Sequence, residues 1–114
     1  MDVEFIEKRS RFIGYSHMVN SEDEAKAFIL EVASRHKKAN HVTFAYVFPN
    51  TARMNDNGEP KGTAGLPIYN VIMRRKLQNI VVVVVRYFGG TLLGKGGLIR
   101  AYSKTASLAI DAME

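Results

Sequence analysis

The stretch Ile80-Val81-Val82-Val83-Val84-Val85-Arg86-Tyr87-Phe88-Gly89-Gly90-Thr91-Leu92-Leu93-Gly94-Lys95-Gly96-Gly97-Leu98-Ile99-Arg100-Ala101-Tyr102 decides how the chain is read. Residues 80–85 are continuously apolar and β-branched. Such a run marks a strand that is central in a sheet or buried on both faces. Glycines follow at 89, 90, 94, 96 and 97. A helix then runs from about Gly97 to the end, with Leu98, Tyr102, Ala106, Ala109, Ile110 and Met113 on its apolar side.

A glycine turn before a helix lets backbone amides approach a ligand without Cβ obstruction. The helix start adds unpaired N–H donors and a partial positive charge. Lys95 and Arg100 flank that start, where the helix dipole disfavours cations. Their placement suits an anion held between them. The alternative is that the glycines serve only tight helix–sheet packing and the cations reach solvent. The segment does not read as a nucleotide P-loop. Gly96 stands where the pattern G-x-x-x-x-G-K-[ST] needs a hydroxyl for magnesium. The dinucleotide fingerprint fails as well, because Ile99 replaces its third glycine.

Working outward, residues 3–8 and 11–19 read as two strands, the second with Ile13, Tyr15, His17 and Val19 on one face. Ser21 and Glu24 form a capping box at the start of a helix whose buried stripe is Ala25, Phe28, Ile29 and Val32. Residues 42–48 alternate as a strand that Pro49 ends. Residues 50–65 read as a long polar connection, a length uncommon in a compact domain unless it is functional. A helix follows from about Gly65, with Ile68, Val71 and Ile72 inward. The order predicts an α+β two-layer sandwich: a four-stranded mixed sheet with three helices on one face.

The 114 residues carry a net charge of +5 and no cysteine. One domain over residues 1–114 is expected. No disulfide framework can form. The longest apolar run is too short for a bilayer, and the charged start is no secretory signal. A cytoplasmic location and no membrane partner follow as expectations. The cations cluster at residues 8–11, 35–38 and 74–76, and at Arg86, Lys95 and Arg100. Clustered charge of this sign suits an anionic partner.

The expected anion- or nucleic-acid-binding residues are Arg86, Tyr87, Gly89, Gly90, Gly94, Lys95, Gly96, Gly97 and Arg100. Phosphates would meet the cations and loop amides. A base could stack on Tyr87 or Phe88, but strand alternation leaves only one of them outside. His41, Asp56, Glu59 and Thr63 are expected to form the other wall of the groove. A histidine with two acids is raw material for a metal site or an acid–base pair. No ligand spacing supports either, so no catalytic residue, metal or cofactor is assigned. The two acids are read instead as capping the second helix or pairing with Arg86 and Arg100.

Residues 56–67 (Asp-Asn-Gly-Glu-Pro-Lys-Gly-Thr-Ala-Gly-Leu-Pro) and 86–102 resemble the two signature stretches of the YigZ/IMPACT family. Residues 8–13 and 41–46 resemble its two shorter motifs, so the resemblance covers almost the whole chain. It implies a fold like the second domain of ribosomal protein S5, whose relatives often act on RNA or the ribosome. It also implies that eukaryotic members restrain activation of a kinase that phosphorylates a translation initiation factor. Asn57 and Lys61 depart from the family's usual aspartate and small residue; one carboxylate is lost and one cation gained. Bacterial relatives typically carry a further ferredoxin-like domain; the sequence stops after the last helix, so either a fragment or a single-domain version is expected. The expected function is therefore a nucleic-acid- or ribosome-associated module in translation regulation, with RNA or a ribosomal surface as partner. A protein-interaction module meeting an acidic protein partner, and a hydrolase of unknown substrate, are the alternatives.

Overall fold

A computed structural model of the chain describes residues 2–113. It contains strands β1 (Asp2–Glu7), β2 (Ser10–Met18), β3 (His41–Phe48), β4 (Thr51–Asn55) and β5 (Ile80–Tyr87). Helices are α1 (Glu22–Arg35), α2 (Gly65–Arg74) and α3 (Gly94–Asp111). The strands form one sheet in the order β1-β2-β5-β3-β4, and every neighbouring pair is antiparallel.

The apolar run of β5 lies at the centre, and all of its residues from Ile80 to Val85 are completely buried. Alternation divides them between two cores. Ile80, Val82 and Val84 pack with Ile68 and Ile72 of α2 and with Tyr102, Ala106 and Ile110 of α3. Val81, Val83 and Val85 pack with Ala25 and Val32 of α1, joined by Phe28 and Ile29. A strand β-branched at every position needs apolar cover on both sides, and the helices supply it unequally: two on one face, one on the other.

The α+β class therefore stands, while three details of the expected sheet are corrected. It has five strands rather than four. It is antiparallel rather than mixed. The helices take both faces rather than one. The missing strand is β4, which falls in the stretch read as a connection. All five of its residues are exposed, and its alternation rests on Ala52 and Met54 alone, too short and too weakly apolar a period to stand out from a polar stretch. Its pairing begins with Phe48 opposite Thr51 across the Pro49-Asn50 turn, and a hairpin that tight can only return antiparallel. It forms an edge of the sheet, where polar and charged residues are usual.

Two local features place the end of the molecule where the signature stretches meet. Gly89 follows β5 and lies against the β1–β2 turn; a Cβ there would stand 2.1 Å from the Arg9 carbonyl oxygen. Only glycine lets the two segments approach so closely. On the α1 face, Tyr15 and Tyr87 hold the His36 ring between their hydroxyls, at 2.6 Å from Nε2 and 2.6 Å from Nδ1 respectively. Burial lowers the His36 pKa below the ordinary 6.5, Arg11 and Arg35 lower it further, and Asp2 opposes them.

A histidine with a lowered folded-state pKa is protonated more readily in the unfolded chain. Its contribution to stability is full above the unfolded value of 6.5 and is lost as pH falls through the folded value. The urea midpoint of the wild type should therefore drop between roughly pH 7.5 and about pH 5, and the drop should be smaller in His36→Gln. An equal drop in both proteins would remove His36 from the explanation.

Candidate functional site

Arg86 is the penultimate residue of β5 and points to the α3 side of the sheet. It is 5% exposed. Its guanidinium lies over two rings, 5.6 Å from the centroid of Phe12 and 5.4 Å from that of Phe88. Nη1 donates to both carboxylate oxygens of Glu59, at 3.0 and 2.9 Å. Nε and Nη2 donate to Ser10 Oγ at 3.3 and 3.2 Å. Tyr102 donates its hydroxyl to Glu59 Oε2. Burial pushes the Tyr102 hydroxyl pKa far up, and the Glu59 acceptor adds to the shift. The phenol thus keeps its proton and remains a donor to the acid.

His41 stands opposite Arg86 in the β3–β5 register. Its Nδ1 is 2.8 Å from the Asn57 carbonyl oxygen. A carbonyl only accepts, so Nδ1 carries a proton. Nε2 then faces Glu59 Oε1 at 3.5 Å. The Asn57 side chain accepts from the Val42 N–H at 2.8 Å, which ties the 56–63 loop to the start of β3. At this position the amide accepts a backbone hydrogen bond without adding a charge.

Asp56 and Thr63 have their polar atoms engaged within the loop. The Asp56 carboxylate accepts from the N–H groups of Gly62, Ala64 and Gly65 at 2.9, 3.1 and 2.8 Å. Those donors lie at and before the start of α2, so Asp56 caps that helix from outside it. Thr63 is 1% exposed, and its hydroxyl donates to the Pro60 carbonyl. Of the two alternatives weighed for the acids, Asp56 takes the cap and Glu59 the pairing with Arg86.

The start of α3 is built differently. The helix opens at Gly94, three residues before the expected Gly97, so Lys95, Gly96 and Gly97 form its first turn. Gly94 has φ +75°, a left-handed conformation that glycine adopts without strain. The cap residue Leu93 makes no side-chain hydrogen bond, and the first turn contains no acid. Arg100 folds back over Gly96, with Nη1 3.3 Å from where a Cβ would stand.

Two grooves flank this turn. One, of about 500 Å³, is lined by His41, Glu59, Arg86, Phe88, Leu92 and Lys95, among others. The other, of about 400 Å³, is lined by Phe5, Glu7, Lys8, Gly97, Arg100 and Lys104, among others. Leu93 contributes to both. The residues expected to act together are thus divided: Arg86, Gly94 and Lys95 on one side, Gly97 and Arg100 on the other. Gly89 packs on Arg9, while Gly90 has φ +89° and open space around it. Tyr87 faces α1 and lies on the opposite side of the sheet from Arg86. Phe88, 45% exposed, is the aromatic at the groove.

Sequence reasoning did not assign Ser10, Phe12 or Lys104 to this region. Ser10 and Phe12 stand within a motif stretch, which was the available signal. Lys104 offered none beyond its charge. Lys8, Lys95, Arg100 and Lys104 are exposed, and among the described residues none of them forms an ion pair.

The Glu59 network generates a stability prediction. Glu59→Gln leaves a buried guanidinium without its counter-charge and should cost about 3–5 kcal/mol. Tyr102→Phe removes one hydrogen bond to a charged acceptor and should cost about 1–3 kcal/mol. The double variant should fall short of the sum, because both changes strike one carboxylate. Urea unfolding at neutral pH measures all three. A Glu59→Gln variant within about 0.5 kcal/mol of wild type would deny the pair its structural weight.

Comparison with known proteins bears on the same region. Residues 8–110 match the family model described as the Impact N-terminal domain. The chain is 45% identical over 111 residues to IMPACT family member YvyE of Bacillus subtilis (strain 168), covering 95% of this chain and 51% of that protein. A crystal structure of a hypothetical protein superposes with a TM-score of 0.93 at 37% identity, covering 96% of this chain and 56% of the other. The structure of the two-domain translational regulator Yih1 superposes with a TM-score of 0.58 at 26% identity, covering 96% of this chain and 45% of the other. The chain therefore spans about half the length of these relatives. The match runs through the β1–β2 turn, the Glu59 loop and the start of α3, and the chain belongs to the Impact N-terminal domain family.

Proposed function

We propose that this chain is a nucleic-acid- or ribosome-associated module of a translation regulator, and that it binds polyanion across the start of α3. One observation carries the reading. Lys8, Lys95, Arg100 and Lys104 are exposed cations without acidic partners among the described residues, gathered about a helix start that has neither an acid nor a side-chain cap. The helix dipole opposes cations there, and a bound phosphate would relieve that repulsion while accepting from the free amides. Arg86 adds no net charge, since Glu59 neutralises it. The binding charge is therefore carried by the rim cations. Likeness to the translational regulator Yih1 supports the biological setting. A cytoplasmic location belongs to the same proposal; no helix among the described residues is long and apolar enough to cross a membrane.

A protein-docking role is the second reading. Leu92, 82% exposed beside Lys95, favours it because an apolar contact next to a cation also suits an acidic protein surface. The partner test is capture that survives nuclease treatment.

The polyanion reading is tested by fluorescence anisotropy with a labelled single-stranded RNA over a range of salt. The Lys95→Ala/Arg100→Ala variant should bind more weakly at low salt. Its plot of log K against log salt should be shallower by about 1.4, the contribution of two phosphate contacts on a single strand. Absence of wild-type binding at about 50 mM salt would reject direct RNA binding.

A further inference from the structure

We propose that the 500 Å³ groove is a stacking site for an unpaired base, so that the module selects single-stranded over duplex RNA; this rests on the polyanion reading above. The argument begins with Phe88. One face of its ring lies on the Arg86 guanidinium, 5.4 Å away, and the residue is 45% exposed, which leaves ring surface open towards the groove. The platform is held before any ligand arrives. Arg86 is clamped by Glu59 and Ser10 and backed by Phe12. The Phe88 N–H donates to Asn40 Oδ1 at 2.8 Å. With its backbone anchored and its ring set beside a held guanidinium, Phe88 gives up less freedom when a second flat group settles on it.

The surroundings suit a nucleobase. The groove volume falls within the range of about 300–1,000 Å³ usual for small-molecule pockets. Leu92, among the most exposed apolar side chains described, also lines it. Lys95 supplies a cation to the same groove. Across the first turn of α3, Lys8, Arg100 and Lys104 line the second groove, with Glu7 the one acid there among the described residues. A single strand crossing the turn would place phosphates on these cations and one base on Phe88. In a duplex, base faces are already stacked and unavailable; platforms of this kind require unpaired nucleotides.

The experiment compares a single-stranded RNA, a blunt duplex of the same sequence and an abasic single strand of equal length. Each is titrated with wild type, Phe88→Ala and Phe88→Tyr. Wild type should prefer the single strand to both other probes. Phe88→Ala should weaken single-strand binding by roughly 5- to 150-fold, as expected for loss of one stacked base, and leave duplex and abasic binding unchanged. Phe88→Tyr should restore the preference. Circular dichroism and urea midpoints establish that Phe88→Ala is folded, and Leu92→Ala gives a second probe of the groove at a solvent-exposed position. Equal binding of all three RNAs, with Phe88→Ala and Leu92→Ala both neutral, would overturn the stacking site while leaving the polyanion reading intact. No binding to any RNA at low salt would overturn both. Nuclease-resistant binding of an acidic protein that Phe88→Ala abolishes, with RNA binding unaffected, would assign the groove to a protein instead.

Discussion

The ion pair between Arg86 and Glu59 ties together five segments around the grooves. Arg86 comes from the central strand, Glu59 from the 56–63 loop, Tyr102 from α3, Ser10 from the start of β2, and His41 from β3. Removing two charges from water is costly, and their mutual attraction offsets the cost only when the remaining polar atoms are also satisfied. Here they are. Among the described residues, no buried side-chain polar atom lacks a hydrogen-bond partner. The guanidinium carbon lies 5.6 Å from the centroid of Phe12 and 5.4 Å from that of Phe88, a cation–π contact that arginine makes more readily than lysine. The pair acts as a clasp, and its geometry sets where Phe88 and the loop can stand.

The two helix starts beside this clasp have opposite electrostatics. At α2, Asp56 accepts three backbone donors and places a negative charge where the dipole prefers one. At α3 the corresponding position holds no acid, and Lys95 lies in the first turn. The chain thus satisfies one helix start internally and leaves the other facing the groove rim. The same loop that caps α2 through Asp56 also delivers Glu59, three residues on, to Arg86 and to Tyr102 of α3. The acids of the 56–67 stretch are thus engaged within the fold, while Lys95 and Arg100 of the 86–102 stretch are exposed.

Much of the fold was legible in the sequence. The β5 run announced a central strand, because six consecutive β-branched apolar residues have no other stable place. The Ser21–Glu24 pair located α1: Ser21 Oγ accepts from the Glu24 N–H, and the Glu24 carboxylate accepts from the Asn20 N–H rather than that of Ser21. Ala25 and Val32 pointed to its buried face. Its assignment to one particular face of the sheet was not legible. A helical stripe shows that a face is buried but not which side of the sheet it meets. Strand β4 was hidden for a different reason: it is a short, exposed edge strand whose alternation rests on Ala52 and Met54 alone. The site was legible as a list of residue types near glycines, and only partly as a place. Tyr87 and Arg86 are adjacent in sequence but project from opposite faces of the sheet.

By itself the sequence determined the central strand, the glycine turn with its cations and the acids of the 56–63 loop, because each is a local pattern with a local physical cause. The tertiary structure decided how they are used. It spent Glu59 on Arg86 and Asp56 on α2, turned Tyr87 away, and set the first turn of α3 as a ridge between two grooves. Those outcomes depend on which surfaces the packed helices cover and which charges lie within hydrogen-bonding distance across the fold. Neither is encoded in spacing along the chain.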